Sequence, residues 1–265
     1  MGEAIVVTSG KGGVGKTTTT ANLGTALALL DKKVCLVDTD IGLRNLDVVM
    51  GLENRIIFDL VDVAHGRIKT KQGLVPDKRF ECLSLLPAAQ TSDKSEVNPE
   101  QMKKIIDELK QEFDYVLIDC PAGIEQGYKN AVAGADKAIV VTTPEKSSVR
   151  DADRIIGLLE QEDIEPPKLI VNRIRTHMVK NGDMLEVEDI ASVLSIDLLG
   201  IVADDDEVIK ASNHGEPVAL QPDTKASMAY RNIARRILGE SVPLMNLDEE
   251  KGMLTKVKKF FGLRV

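Results

Sequence analysis

The sequence predicts an α/β fold, a single doubly wound and mostly parallel sheet with helices on both faces. Three observations carry that expectation. Apolar runs of strand length recur at 4–7, 34–37, 115–118, 138–141, 168–171 and 198–202, and continuous hydrophobicity marks strands covered on both faces. Helix-patterned segments separate most of these runs, which implies right-handed crossovers and parallel pairing. A glycine-rich loop follows the first run and opens a helix, at the end of a strand where such sheets bind ligands.

One large domain over residues 1–238 suits a chain of 265 residues, and 43% hydrophobic residues can supply its core. A net charge of −8 argues against wholesale nucleic-acid binding, although a basic patch sits at the extreme C-terminus. Cys35, Cys82 and Cys120 are far apart and form no C-x-x-C, so neither a disulfide framework nor a zinc or iron–sulfur signature is visible. They are expected as small buried side chains in a reducing cytoplasm.

The first strand, Ala4-Ile5-Val6-Val7-Thr8, starts at once after Met1-Gly2-Glu3. That start lacks the regions of a signal peptide, so secretion is not expected. Val6 stands where a myristoylation motif wants Ser or Thr. No apolar run approaches the ~18 residues that a spanning helix needs.

Gly10-Lys11-Gly12-Gly13-Val14-Gly15-Lys16-Thr17 fits G-x-x-x-x-G-K-[ST] and adds a second lysine, Lys11, directly after its first glycine. The ordinary pattern wraps backbone N–H groups around a triphosphate, with a lysine on the outer phosphates and a hydroxyl on magnesium. Lys16 and Thr17 occupy those places, and the amides of Gly12, Gly13, Val14, Gly15, Lys16, Thr17 and Thr18 should face phosphate oxygens at a helix N-terminus. Lys11 is required for none of this. The helix itself is expected over 18–30.

The second strand leads into Val37-Asp38-Thr39-Asp40, where alternation aims Asp38 and Asp40 the same way if strand geometry persists. Either acid alone could instead cap a helix or turn. Asn98-Pro99-Glu100 opens a helix to about Glu112, with Asn98 as N-cap and Pro99 at its first position. Tyr115-Val116-Leu117-Ile118-Asp119 is an apolar strand ending in an acid, the setting of an aspartate that holds magnesium through water. A strand-end turn residue is the alternative. Pro243 and Asp248-Glu249-Glu250 mark 239–250 as an exposed linker.

The phosphate loop, Val37-Asp38-Thr39-Asp40 and Ile118-Asp119-Cys120-Pro121-Ala122-Gly123 together resemble the deviant Walker ATPases, the MinD/ParA superfamily of P-loop NTPases. The resemblance implies ATP hydrolysis by a homodimer that sandwiches two ATP molecules with Mg²⁺. It gives Lys11 a crossing role, onto the partner's nucleotide, where it neutralises developing charge as an arginine finger does. It also implies that Lys16 is catalytic, that Asp40 positions or activates the attacking water, and that Thr17, Asp38 and Asp119 support the metal. Asn172, in Ile170-Val171-Asn172-Arg173, matches the residue that hydrogen-bonds adenine, a task an amide's donor and acceptor suit. The family often has a proline after the strand at 199–202, where this chain has Ala203.

The blocks at 40–47, 143–154 and 211–218 resemble the MinD branch. For that branch the resemblance implies division-site selection, a partner helix beginning near Ser147 that engages the inhibitor MinC, and a topological regulator. Without the family, the charges of that helix are simply a solvated face.

Residues 251–265 supply an independent, physical reason for a membrane role. Helical spacing gathers Met253, Leu254, Val257, Phe260 and Phe261 on one side, and Lys256 and Lys259 fall opposite. Lys251, Lys258 and Arg264 lie nearby and no acid follows Glu250, so an in-plane anchor for anionic lipid is expected, with Lys258 and Lys259 at the headgroups. A helix docked on the protein's own core is the alternative. The expected location is the cytoplasmic face of the cell membrane, reversibly, and the cytoplasm when ADP-bound or nucleotide-free.

A flagellar-number regulator of the same superfamily could share this tail. A ParA-like DNA-partitioning ATPase would need a basic surface on the folded domain, whereas the dense basic cluster here contains two phenylalanines. The cysteine spacing disfavours an iron–sulfur carrier ATPase.

Overall fold

The computed structural model describes residues 1–162 and 164–247. The expected runs form strands β1 (Glu3–Thr8), β2 (Val34–Asp38), β5 (Tyr115–Asp119), β6 (Lys137–Thr142), β7 (Lys168–Ile174) and β8 (Asp197–Ala203). Two more, β3 (Val75–Pro76) and β4 (Leu83–Leu86), extend the sheet beyond β2. Their lengths explain why pattern alone misses them. β3 has two residues, one a proline, which suits an edge, and β4 is a short Leu-Ser-Leu-Leu without β-branched residues.

The strand order is β3-β4-β2-β5-β1-β6-β7-β8, parallel throughout except where β3 meets β4. β1 therefore lies between β5 and β6, and the chain reverses its direction of travel across the sheet there. That is the switch point at which open α/β sheets hold ligands.

Alternate residues of β1 serve two cores. Ala4 and Val6 face one cluster, Ile5 and Val7 the other. The Ala4 side is covered by α3 (Leu60–Ala64), α5 (Pro99–Glu112), α6 (Gln126–Val132), α7 (Lys146–Leu159) and α9 (Val187–Leu194). The Ile5 side is covered by α1 (Lys16–Ala28), α2 (Leu46–Met50), α10 (Asp206–Asn213) and α11 (Lys225–Ile237). Short α4 (Thr70–Gly73) and α8 (Thr176–Lys180) complete the α-helices of the described residues. Helices on both faces make the sheet doubly wound, as the strand-helix alternation implies.

Local chemistry fixes the ends of these elements. Asn98 accepts the Gln101 amide at 2.9 Å while the Gln101 side chain accepts the Asn98 amide at 3.0 Å, a reciprocal cap ahead of Pro99. The stretch expected as a linker is described as far as Leu247, without helix or strand and with most residues exposed. Arg236 ties it to the body by donating to the Val242 and Pro243 carbonyls at 2.8 and 2.7 Å. Met245 and Leu247 each pack against one of the two cores. Among the described residues no helix is long and apolar enough to cross a membrane.

Candidate functional site: a phosphate loop beside paired carboxylates

The loop between β1 and α1 turns on Gly15, the residue capping α1, which has φ 97°. A side chain there would also collide with the Asn172 amide, so glycine is required twice over. No side chain caps α1. The amides of Lys16, Thr17 and Thr18 have no intrahelical acceptor by geometry, and they open the loop to an anion.

Lys16 is 7% exposed and donates to the Ser9 hydroxyl at 3.0 Å. Ser9 in turn donates to the Lys11 carbonyl at 2.7 Å, so one hydroxyl ties the Lys16 side chain to the loop's own backbone. Thr17 donates to Asp119 at 2.7 Å, and Thr20, one turn further along α1, donates to the other oxygen of that carboxylate at 3.2 Å.

Asp38 and Asp119 end adjacent parallel strands and are paired in register. Both are buried. Burial, followed by the neighbouring Asp38 carboxylate, holds the Asp119 carboxyl well above the usual range, partly offset by the Thr17 hydroxyl and the Lys16 ammonium. Asp38 is likewise raised by burial, and the amides of Asp40 and Leu46 pull it back. Two desolvated acids side by side disfavour two negative charges, and a cation between them would relieve both.

Asp38 also shapes the loop after β2. It accepts the Asp40 amide at 2.9 Å and the Asn45 and Leu46 amides at 3.3 and 3.2 Å. Strand geometry thus does not persist to Asp40, and the alternation that would aim both acids alike stops at Asp38. Asp40 sits instead in a turn, its carbonyl accepting the Leu43 and Arg44 amides at 3.1 Å each. Arg44, at φ 29°, pairs with buried Asp47 at 2.8 Å.

The Lys11 ammonium sits on Glu145 at 3.2 Å and Ser147 at 3.1 Å, where α7 begins. Its side chain is 40% exposed. The loop meets the same helix at Gly10, where any side chain would strike the Asp151 carbonyl. Asn172, at the far side, is buried and donates to the Val14 carbonyl at 2.8 Å while accepting the Arg173 amide at 2.9 Å. In this arrangement its amide supports the loop from beneath.

The ParA family model, described as "NUBPL iron-transfer P-loop NTPase", matches residues 1–238. The septum site-determining protein MinD of Bacillus subtilis (strain 168) is 76% identical over 267 residues, covering 100% of both chains. The chain belongs to the MinD family of P-loop NTPases. A solved MinC:MinD cell division protein complex from Aquifex aeolicus is similar at 51% identity and a TM-score of 0.86, covering 92% of this chain and 98% of that one. The MinD of Pyrococcus horikoshii OT3, solved in complex with Mg-ADP, matches at 30% identity and a TM-score of 0.82, covering 89% and 96%.

The donors of this chain fit that ion. Thr17, Asp38 and Asp119 offer hard oxygen atoms, and Mg²⁺ prefers a few such ligands completed by phosphate and water rather than an all-protein cage. Sequence reasoning did not single out Ser9, Thr20 or Glu145 as site residues, and it placed Ser147 at the start of a partner helix rather than beside Lys11. Thr20 had a readable signal, since a hydroxyl three residues after Thr17 shares its helix face. Ser9 and Glu145 act only through the fold, and nothing in their local sequence announces it.

Proposed function

We propose that this MinD-family protein is an ATP-hydrolysing dimeric switch for division-site selection. Its ATP-bound dimer binds anionic membrane through residues 253–261, recruits MinC and leaves after hydrolysis. The membrane-binding residues Met253, Leu254, Val257, Lys258, Lys259, Phe260 and Phe261 lie outside the described residues, so this step rests on their sequence pattern. The observation that carries the switch is Lys11, a surface lysine that the phosphate loop does not need and that Glu145 and Ser147 hold within its own subunit.

Each residue then has a task. The amides of residues 12–18 and Lys16 bind the β- and γ-phosphates. Thr17, Asp38 and Asp119 hold Mg²⁺, the latter two through water, and the ion supplies charge neutralisation on the phosphates. Asp40 orients the water that attacks the γ-phosphorus in line with the leaving oxygen. Lys11 leaves Glu145 and crosses to the partner's nucleotide, so charge on the transferring phosphoryl is met only in the dimer. Asn172 turns a second amide N–H or its oxygen toward adenine.

One tail holds weakly, because each basic residue near an anionic surface contributes about 1 kcal/mol. Two tails on one face of a dimer act at high effective concentration, and hydrolysis ends the pairing. Location then follows nucleotide, at the cytoplasmic face of the membrane with ATP and in the cytoplasm without it. The test measures dimerisation and vesicle sedimentation with ADP, with ATP, and with ATP for Lys11→Ala. Both signals should appear only for the unaltered chain with ATP, and indifference to nucleotide would overturn the switch.

A further inference from the structure

A cavity of about 660 Å³ opens between α5 and the α3–α4 segment, on the Ala4 side of the sheet. No residue assigned to the nucleotide lines it. Val63, Ile68, Leu74, Ile105 and Leu109 form its apolar wall. Along α5 it runs from Gln101 to Glu112, a rise of ~16 Å. Volumes of ~300–1,000 Å³ with an apolar lining and a few polar groups are those of small-molecule sites.

The polar groups around this cavity are not equally satisfied. Gln101 donates to the Ala64 carbonyl at 2.9 Å, and Thr70 donates to the Glu108 carboxylate at 2.5 Å, so each bond joins α5 to the opposite side. Glu112 pairs with Lys71 at 3.8 Å. Both acids of the lining thus have partners. Lys69 and Lys104, exposed and on opposite sides, carry no ion pair among the described residues.

We propose that this cavity binds a single-chain anionic amphiphile, with its alkyl chain along the apolar wall and its carboxylate or phosphate head at Lys104 and Lys69. Each methylene buried on that wall favours binding, and an ionised head on an ammonium makes the stronger, charge-assisted kind of hydrogen bond. A partner helix, ~10 Å across, would have to break the bonds from Gln101 and Thr70 to reach the wall, and a narrow chain need not. Nucleic acid, held chiefly through its phosphates, would leave the apolar wall unused and meet two carboxylates. The site stands apart from residues 253–261 and does not rest on the proposed membrane function.

Hydrogen exchange and calorimetry on the full chain test it, with dodecanoate, dodecyl phosphate or dodecylammonium below the concentrations at which they form micelles. Either anion should slow exchange of the amides of residues 63–74 and 101–112, and dodecylammonium should not. The chain's net charge is −8, which repels an anion elsewhere, so that preference would report the two lysines. Protection by dodecanoate alone would identify a fatty acid, and protection by dodecyl phosphate alone a phosphate-headed lipid. Lys104→Glu, at an exposed position, should weaken anion binding roughly tenfold with its melting temperature kept, while Lys104→Arg should bind as the unaltered chain does. Lys69→Glu/Lys104→Glu should turn the preference toward dodecylammonium. Phe260→Ala/Phe261→Ala should leave the protection at 63–74 unchanged. Equal protection by dodecylammonium in the unaltered chain, or none at 63–74 with either anion, would sink the proposal.

Discussion

Lys11 and Asp119 put opposite demands on solvent. The Lys11–Glu145 pair is 40% and 53% exposed, a setting in which an ion pair adds ~0–1 kcal/mol to stability. Lys11→Ala should therefore fold normally and melt near the unaltered chain, while its ATP turnover falls roughly 10³-fold, the scale of a lost arginine finger. A steady-state phosphate-release assay with a parallel melting curve separates the two. Asp119, in contrast, is buried beside Asp38 with both carboxyls raised. The folded state holds protons there that the unfolded chain has lost, so the pair's contribution is full below ~4 and falls as pH rises through the raised folded values. Asp119→Asn should flatten the decline of Tm between pH 5 and 8 in nucleotide-free protein, and an unchanged slope would remove the pair as its cause.

At the level of elements, the strands that build the site were legible and the two beyond β2 were not. Long buried runs such as those of β1 and β5 announce themselves because both faces are covered, whereas β3 and β4 exist through pairing with β2 and carry little pattern of their own. The same divide runs through the site. Lys16 and Thr17 follow from loop spacing, but the turn that takes Asp40 off the strand is set by three amides reaching Asp38 across the loop, which no alternation rule contains. Asn98, where sequence and structure agree, offers a simple check. Asn98→Ala should cost about 1 kcal/mol through the lost cap and lower Tm by about 2–4 °C for a domain of this size, read by calorimetry.

For the whole molecule, the central question is how events at the strand ends reach a remote segment. The phosphate loop follows β1 of the sheet and Leu247 packs against a core of that same sheet, and the tail's expected affinity is weak enough for pairing to decide it. Deleting residues 253–265 should leave nucleotide binding intact and abolish sedimentation with anionic vesicles. For the unaltered chain, raising salt from 0.1 to 1 M should weaken vesicle binding, because screening shortens to ~3 Å. Undiminished sedimentation after the deletion would place the lipid contact elsewhere on the protein. Gly10 meanwhile leaves no side chain between the phosphate loop and the backbone of α7 at Asp151, so the two share a wall with nothing soft in it. A fluorophore on the exposed Arg150 of that helix would consequently report loop occupancy with unlabelled nucleotide, making the protein its own sensor.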